Sequence, residues 1–132
     1  MIETGSGPGY ATRPGYRIEL VPCLKRLRVM FGGLMVADTT HAVALRETGR
    51  VPVYYFPRGD VRLDLLQPSD QRSYCPFKGE ATYWTIVASQ KRSEDAVWGY
   101  PTPYSEVAEL VDYVAFYWDR VDHWYEEDEE VF

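Results

Sequence analysis

Two adjacent glycines, Gly32-Gly33, constrain this chain more than any other local feature. They separate two mainly apolar segments by the two residues of a tight β-hairpin turn, in which glycine takes positive φ without penalty. Direct pairing across that turn predicts Phe31 opposite Leu34, and it places Val29 opposite Val36 on the same face. The chain is therefore expected to build its fold, at least in part, from antiparallel strands.

Most of the remaining periodicity is also that of β-strands. Apolar, aromatic and β-branched residues alternate with polar ones or form short runs bounded by Gly and Pro. These patterns predict further strands over 17–22, 42–46, 53–56, 80–88, 96–100 and 114–118, with a polar turn over 90–95. Residues 60–66 fit either a strand or a short helix. One short helix is predicted within 102–112, because Thr102 can cap it and Pro103 suits the first helical position.

Length and charge suggest how the chain is organised. Its 132 residues suffice for one domain with a single core. Residues 1–15 are rich in Gly and Pro and are predicted to be a flexible N-terminal arm, followed by a β domain over 16–125. Residues 126–132 are an acidic C-terminal end, and the net charge of −6 is concentrated from Asp119 onward. Such an end is expected to be solvated or to dock on a basic partner.

Several classes of function are disfavoured by composition. The chain before its acidic end is electrically neutral, whereas nucleic-acid binding requires a basic surface. No apolar run approaches the roughly 20 residues of a membrane-spanning helix, so no membrane partner is expected. Nothing indicates export, so Cys23 and Cys75 are expected to be reduced thiols in a cytoplasmic protein. Two Cys and two His are too few for a closed zinc site, and neither metal nor other cofactor is predicted.

The most distinctive stretch is SYCPFKGEATYW, over 73–84. The thiol of Cys75, a rigid proline and the ammonium of Lys78 fall within four residues, and a nearby cation lowers the pKa of a thiol. The turn is interpreted either as one side of a ligand pocket or as a structural turn in which Cys75 is a small buried residue. Because no His lies nearby and no catalytic triad is recognisable, whether the chain is an enzyme stays open.

Aromatic residues are the predicted walls of such a pocket, since flat amphipathic rings commonly line small-ligand sites. Lys78 is the predicted contact for an anionic group, because an ammonium is a compact point charge. Arg58 and Asp60 follow Pro57 in a loop that could direct them at a ligand, although a surface ion pair is the plainer interpretation. The aromatic candidates, two or three of which are expected to be ordinary core residues, are Tyr54, Tyr55, Trp84, Trp98 and Tyr100.

The 73–84 stretch resembles the CPxKGxAxYW signature of a family called domain of unknown function 427, whose members are sometimes labelled nucleotidyltransferase-like. Further blocks resemble the same family in the same order, so the likeness covers roughly residues 17–125. These blocks are MVADT (35–39), VYYFPRGDV (53–61), AVWGYPTPYSEVAEL (96–110) and YVAFYWDRVD (113–122).

The resemblance implies a small, mainly β, antiparallel domain of the β-tent type with one short helix. Methionine-R-sulfoxide reductases and some zinc proteins share that architecture, but their CxxC zinc ligands are missing here. The nucleotidyltransferase label is unsupported, because no Gly-Ser pair precedes spaced aspartates that could hold metal ions. Tandem copies occur in the family and WYEEDEEVF resembles their connector, so a second copy of the domain or a homodimer is an open arrangement.

Two functional hypotheses follow for this chain. The first is a small-molecule pocket near the CPFKG turn, suited to an anionic ligand held by Lys78. The second is a non-catalytic protein-interaction module, in which the same motif only shapes the fold.

Overall fold

The computed structural model describes residues 5–131, which fold mainly into antiparallel β-strands. The strands of this range are β1 (Ile18–Cys23), β2 (Leu27–Phe31), β3 (Leu34–Thr39), β4 (Ala42–Glu47), β5 (Val53–Pro57), β6 (Leu66–Cys75), β7 (Gly79–Ala88), β8 (Lys91–Gly99), β9 (Tyr113–Phe116), β10 (His123–Glu126) and β11 (Glu129–Val131). The helices are one short α-helix, α1 (Gly9–Thr12), and the 3-10 helices Arg58–Asp60, Leu63–Leu65, Ser105–Asp112 and Trp118–Arg120. The predicted mainly β, antiparallel domain with one short helix is confirmed.

The strands form two sheets that pack against each other. The larger has seven strands in the order β1-β4-β5-β9-β8-β7-β6, and the smaller has four in the order β11-β10-β2-β3. One cluster of buried side chains draws on both sheets, so each sheet buries an apolar face against the other. Its larger members are Leu27, Val29, Phe31, Val36, Phe56, Ile86, Val97, Val114, Phe116 and Trp124.

The opposite face of the larger sheet carries a second apolar cluster, to which the 3-10 helix Ser105–Asp112 contributes Val107 and Leu110. Strand alternation explains the division, because successive side chains of a strand point to opposite faces of the sheet. Along β5, Tyr54 packs on the first cluster and Tyr55 belongs to the second. The remaining buried members of the second cluster are Leu45, Ala81, Tyr83, Tyr100 and Ala115. This second face carries the candidate site.

The helix predicted near residue 105 differs from the expectation in its type and its start. It is a 3-10 helix that begins at Ser105, so the predicted cap, Thr102, precedes it. The backbone of Tyr104 is extended, with ψ of 159°, and its N–H donates to the carbonyl of Lys78 at 3.0 Å. This contact with the CPFKG turn keeps the chain extended for two residues longer than the sequence pattern indicates.

The hairpin predicted at Gly32-Gly33 joins β2 to β3, and both glycines have positive φ, 62° and 78°. The pairing directly beside the turn is the predicted one. Further along, Val29 pairs with Ala37 rather than with Val36, because a β-bulge shifts the register by one residue. Both valines are nevertheless fully buried in the cluster between the sheets.

Strand β6 is the main element that the sequence did not predict. It forms one edge of the larger sheet, is mostly exposed on both faces, and contains Pro68, next to which its pairing with β7 is interrupted. An exposed edge strand needs no apolar alternation, so its sequence resembles a loop. Just before it, the undecided residues 60–66 contain 3-10 turns. The turn predicted over 90–95 is shorter than expected, because β8 already begins at Lys91.

Residues 5–15, the described part of the predicted flexible arm, lie against the domain; residues 1–4 are outside the described range. Gly7 and Gly9 are buried, and the Gly9 N–H donates to the carbonyl of Pro76 at 3.0 Å. A Cβ on Gly9 would lie 2.7 Å from the ring of Phe77. Two of the glycines that indicated flexibility, Gly7 and Gly9, therefore permit close packing on the CPFKG turn.

The acidic C-terminal end also contacts the domain, over the part that the structure describes. Strands β10 and β11 form a hairpin at the edge of the smaller sheet. Lys25 Nζ lies 2.6 Å from Glu126 Oε1, and Arg28 Nη2 donates to the carbonyl of Glu127 at 2.9 Å. The basic residues beside this end thus neutralise part of its charge, although Glu127 to Glu130 remain exposed.

Candidate functional site

The CPFKG sequence forms the tight turn between β6 and β7. The turn is closed by the N–H of Lys78, which donates to the carbonyl of Cys75 at 3.2 Å. Gly79 has φ of 119°, and a Cβ there would lie 3.1 Å from the carbonyl oxygen of Thr102. Both the positive φ and the lack of space favour glycine at this position. The turn is consequently held tightly against residues 102–104.

Phe77 anchors the turn from the side of the N-terminal segment. Its buried ring is stacked on that of Tyr16, with centroids 3.9 Å apart, and meets the ring of Tyr10 edge-on at 5.1 Å. The hydroxyl of Tyr10 donates to the Phe77 carbonyl at 3.1 Å. Burial, assisted by the charge of Glu106, raises the pKa of Tyr10 to about 12, so this donor keeps its proton at neutral pH.

Lys78 forms an ion pair with Glu47, the last residue of β4. The distance from Nζ to Oε1 is 2.6 Å, and the two side chains are only 12% and 5% exposed. The hydroxyl of Tyr16 donates to the second carboxylate oxygen of Glu47. Burial alone would raise the pKa of Glu47, but the hydrogen bonds from Lys78 and Tyr16 outweigh it and hold the pKa below its ordinary value. The carboxylate is therefore ionised at neutral pH.

Two cavities share this ion pair as a border, and together they are called the cleft. The larger has a volume of about 380 Å³ and the smaller about 340 Å³. Four residues line both cavities, namely Glu47, Arg50, Lys78 and Tyr100. The larger cavity is also lined by Val51, Val53, Tyr55, Tyr83, Trp98 and Tyr117, and the smaller by Arg13, Tyr16, Tyr74, Cys75, Pro76 and Phe77.

Aromatic side chains with fixed polar atoms dominate the larger cavity. Trp98 Nε1 donates to the hydroxyl of Tyr55 at 3.2 Å, and the ring of Trp98 lies 4.6 Å from that of Tyr117. Burial raises the pKa of Tyr55 and that of Tyr100 far above the ordinary phenol value, and it raises the pKa of Tyr117 to about 12. These phenols are neutral hydrogen-bonding groups at physiological pH.

The structure brings several of the sequence-predicted candidates together. Lys78, Cys75, Tyr55, Trp98 and Tyr100 all line the cleft, although they come from the turn, from β5, from β8 and from the residue that follows β8. Lys78 is not an unpaired cation, because Glu47 already neutralises it. Three of the five aromatic candidates and the basic residue of the turn therefore border the cleft, and Lys78 has a counter-ion that the sequence did not indicate.

The other candidates lie outside the cleft. Tyr54 and Trp84 pack on the cluster between the two sheets, since each neighbours a residue that faces the cleft and strand side chains alternate. The guanidinium carbon of Arg58 lies 5.2 Å from the centre of the Trp84 ring. Asp60 accepts a hydrogen bond from the hydroxyl of Thr39 at 2.7 Å. Arg58 and Asp60 thus contact different partners, Trp84 and Thr39, outside the cleft.

Sequence reasoning did not identify nine residues that border the cleft. They are Arg13, Tyr16, Glu47, Arg50, Val51, Val53, Tyr74, Tyr83 and Tyr117. Tyr83 left a usable signal, because alternation along the predicted strand 80–88 put it on the face opposite Trp84. Most of the others meet the turn through strand pairing and chain packing between distant segments, which local patterns do not encode.

Cys75 borders the smaller cavity as a half-buried free thiol. The two histidines lie in other environments, where His41 Nδ1 contacts the hydroxyl of Thr40 and His123 Nδ1 contacts Glu130. Within residues 5–131, no group of three or more His, Cys, Asp and Glu side chains is arranged to hold a metal ion. No helix of that same stretch is long and apolar enough to cross a bilayer.

The sequence was also compared with known proteins. The model of a family described as a domain of unknown function (DUF427) matches residues 19–127, which include the whole CPFKG turn and strands β2 to β10. The comparison with curated proteins gives no significant match. Because the family match extends over most of the 132 residues and contains every block that carried the resemblance, the chain belongs to the DUF427 family.

Proposed function

We propose that this DUF427 domain binds a small molecule in the cleft beside the CPFKG turn. The observation that carries the proposal is a concave cavity of about 380 Å³ bordered by the buried Lys78–Glu47 pair. Small-molecule sites have volumes of roughly 300 to 1,000 Å³ and combine apolar and aromatic walls with a few convergent polar groups. The cavity meets both conditions.

The polar groups of the cleft are held in place before any ligand arrives. The hydroxyls of Tyr83 and Ser73 lie 2.7 Å apart, and Trp98 is fixed by its bond to Tyr55. A site whose side chains are already ordered loses less conformational entropy on binding. This preorganisation supports ligand binding over a space that merely results from imperfect packing.

The ion pair itself also supports a functional cleft. Burying two charges costs desolvation, and replacing such a pair by apolar residues of the same shape is often neutral for stability. Lys78 and Glu47 are therefore an inefficient way to stabilise this fold. Their location at the border shared by both cavities fits a role in positioning polar groups for a ligand.

The alternative function is a protein-interaction module, in which the turn is purely structural. Two exposed apolar or aromatic residues border the cleft and favour it, Val51 at 80% exposure and Tyr74 at 59%. A protein segment, including one from a second copy of this domain, could cover them. In that case the cleft would be closed by a macromolecule rather than filled by a small ligand.

Ligand-observed NMR with a fragment library tests the small-molecule proposal. Val51→Trp places a large ring at the border of the larger cavity, whereas Val87→Trp makes the same change at an exposed position that does not line the cleft. We expect fragments that bind the wild type to be lost with Val51→Trp and retained with Val87→Trp.

Melting temperatures of the two variants provide the control for folding. Fragments that bind both tryptophan variants equally would contradict a site in the cleft. A library that yields no binder to the folded wild-type protein would favour the interaction module.

We also propose that the domain works in the cytoplasm. Cys23 and Cys75 are both free thiols, as expected in a reducing compartment. Alkylation during cell lysis followed by intact mass measurement should show two modified thiols per chain. A disulfide-linked species under those conditions would contradict this location.

A further inference from the structure

We propose that the ligand of the cleft is a small, planar aromatic anion, and that its negative group binds Arg50 rather than Lys78. This inference rests on the proposed binding function and specifies its ligand class. It changes the role that the sequence indicated for Lys78, from direct anion contact to partner of Glu47.

The charge of Lys78 is already balanced by Glu47. Its ammonium lies 2.6 Å from one oxygen of Glu47 and is 12% exposed, so little of it is accessible to a ligand. An incoming anion at this ammonium would have to compete with a carboxylate that is itself almost fully buried and held by Tyr16. Lys78 is therefore unsuited to be the primary anion contact.

Arg50 lies in the loop between β4 and β5. Its backbone N–H donates to the carbonyl of Glu47 at 3.1 Å, which fixes the loop, and its side chain is exposed. Arg50 borders both cavities of the cleft. Its guanidinium interacts with the hydroxyl of Tyr16 and with the charge of Glu47, but within residues 5–131 no carboxylate oxygen lies within 4.0 Å of it. A guanidinium in this position can form a bidentate contact with a carboxylate or phosphate.

The cleft as a whole carries a positive charge. The charged residues along it are Arg13, Arg50, Lys78 and Glu47, which leave it with a net charge of +2. The complete chain has a net charge of −6. A positive concave surface on an acidic protein concentrates anions and repels the cations that the rest of the surface attracts.

The shape and size of the larger cavity also restrict the kind of ligand that it can hold. The rings of Trp98 and Tyr117 lie 4.6 Å apart along the larger cavity, and the phenols of Tyr55 and Tyr100 also border it. Its volume of about 380 Å³ is near the lower end for ligand sites, which suits one or two rings rather than a dinucleotide. Ring faces beside the guanidinium of Arg50, which lines this larger cavity, together select a flat molecule with one anionic end.

Fluorine NMR with 4-fluorobenzoate and 4-fluorobenzamide tests this ligand class. The two probes have the same ring and nearly the same shape, and only the benzoate is charged. We expect the benzoate to bind the wild-type protein about tenfold more tightly than the benzamide, and this preference to weaken in high salt. Arg50→Gln should remove most of the preference. Arg46→Gln, which makes the same charge change at an exposed residue of β4 outside the cleft, should retain it.

The outcomes separate this inference from the function on which it rests. Equal binding of both probes, lost with Val51→Trp, would leave the cleft as a binding site and overturn the anionic ligand. A benzoate preference that survives in Arg50→Gln would overturn the role of Arg50. Binding of neither probe at millimolar concentration would overturn the inference, and the fragment library would then decide the proposed function on its own.

Discussion

The ring of Tyr16 is stacked on the ring of Phe77, with centroids 3.9 Å apart and planes inclined by 18°. This contact joins the N-terminal segment to the CPFKG turn and brings the hydroxyl of Tyr16 to the carboxylate of Glu47. One side chain therefore connects the segment, the turn and the ion pair of the cleft.

Substitution of either ring should destabilise the domain, and the two effects should be coupled. Phe77→Ala should lower the free energy of unfolding by roughly 3–5 kcal/mol, because the ring is buried. A double-mutant cycle with Tyr16→Ala should give a coupling energy of about 0.5–1.5 kcal/mol. Urea unfolding of the four proteins measures both quantities. Additive effects would mean that the rings do not interact in solution.

Glu47→Gln should change how stability depends on pH. In the folded protein the hydrogen bonds from Lys78 and Tyr16 outweigh burial and keep the pKa of Glu47 below its ordinary value of 4.5. The stabilisation that ionised Glu47 gives to the folded state is thus fully present above pH 4.5, and it is lost as the pH falls through the folded-state pKa of Glu47. Melting temperatures between pH 7 and pH 3 should show wild type and variant converging in acid. A difference in melting temperature between wild type and Glu47→Gln that is constant over this range would contradict a lowered pKa of Glu47.

Lys78→Met should be more harmful than the removal of both charges. The single change leaves a buried carboxylate without its cation and should cost roughly 3–5 kcal/mol of unfolding free energy. The double variant Lys78→Met/Glu47→Leu should recover most of that loss, since an apolar pair avoids desolvation of charge. Denaturant unfolding at pH 7 gives the comparison. If the double variant is less stable than Lys78→Met, the Lys78–Glu47 ion pair stabilises the fold more than an apolar pair does, which would contradict this prediction.

Gly79→Ala should destabilise the turn, whereas Gly59→Ala should have little effect. Gly79 has φ of 119° and faces a carbonyl oxygen at 3.1 Å from an added Cβ, so we expect a loss of roughly 1–3 kcal/mol. Gly59 has no atom within 4 Å of such a Cβ, and its change should stay within about 0.5 kcal/mol. Thermal melting distinguishes the two. Equal stability of both variants would show that the turn tolerates side chains.

The amide of Gly9 should exchange slowly with solvent, although its sequence context suggests a mobile arm. It donates to the carbonyl of Pro76 at 3.0 Å and is buried beside Phe77. NMR-detected hydrogen exchange should therefore show protection at Gly9 in the wild type and its loss in Phe77→Ala. Fast exchange at Gly9 in the wild-type protein would instead agree with the flexible arm.

Local signals in the sequence were sufficient for much of the fold. Gly32-Gly33 predicted its hairpin because a two-residue turn leaves few alternatives. The predicted pairing of Val29 with Val36 was wrong, since a β-bulge depends on packing between the sheets rather than on the turn. Strand β6 was missed because an exposed edge strand is polar on both faces. Alternation and turn chemistry are readable from sequence, whereas bulges and edges depend on neighbours.

The residues of the candidate site also fall into two groups, those that local sequence patterns identified and those that only the fold brings together. The motif around Lys78 and the aromatic residues Tyr55 and Trp98 were identified because they are unusual in their local context. Glu47 was not, although its carboxylate lies 2.6 Å from the ammonium of Lys78, because 31 positions separate the two in the chain. Their proximity arises only when the larger sheet is assembled, in which three strands separate β4 from β7.

The N-terminal segment has a consequence for comparisons within the family. Arg13 and Tyr16 border the smaller cavity, yet both precede residue 19, where the shared family region begins. Two relatives can therefore agree at every position of that region and still present different side chains to a ligand. Protein fragments trimmed to residues 19–127 would retain the CPFKG turn while exposing Phe77 and releasing one oxygen of Glu47. Tests of the proposed ligand binding therefore need chains that keep their leading residues.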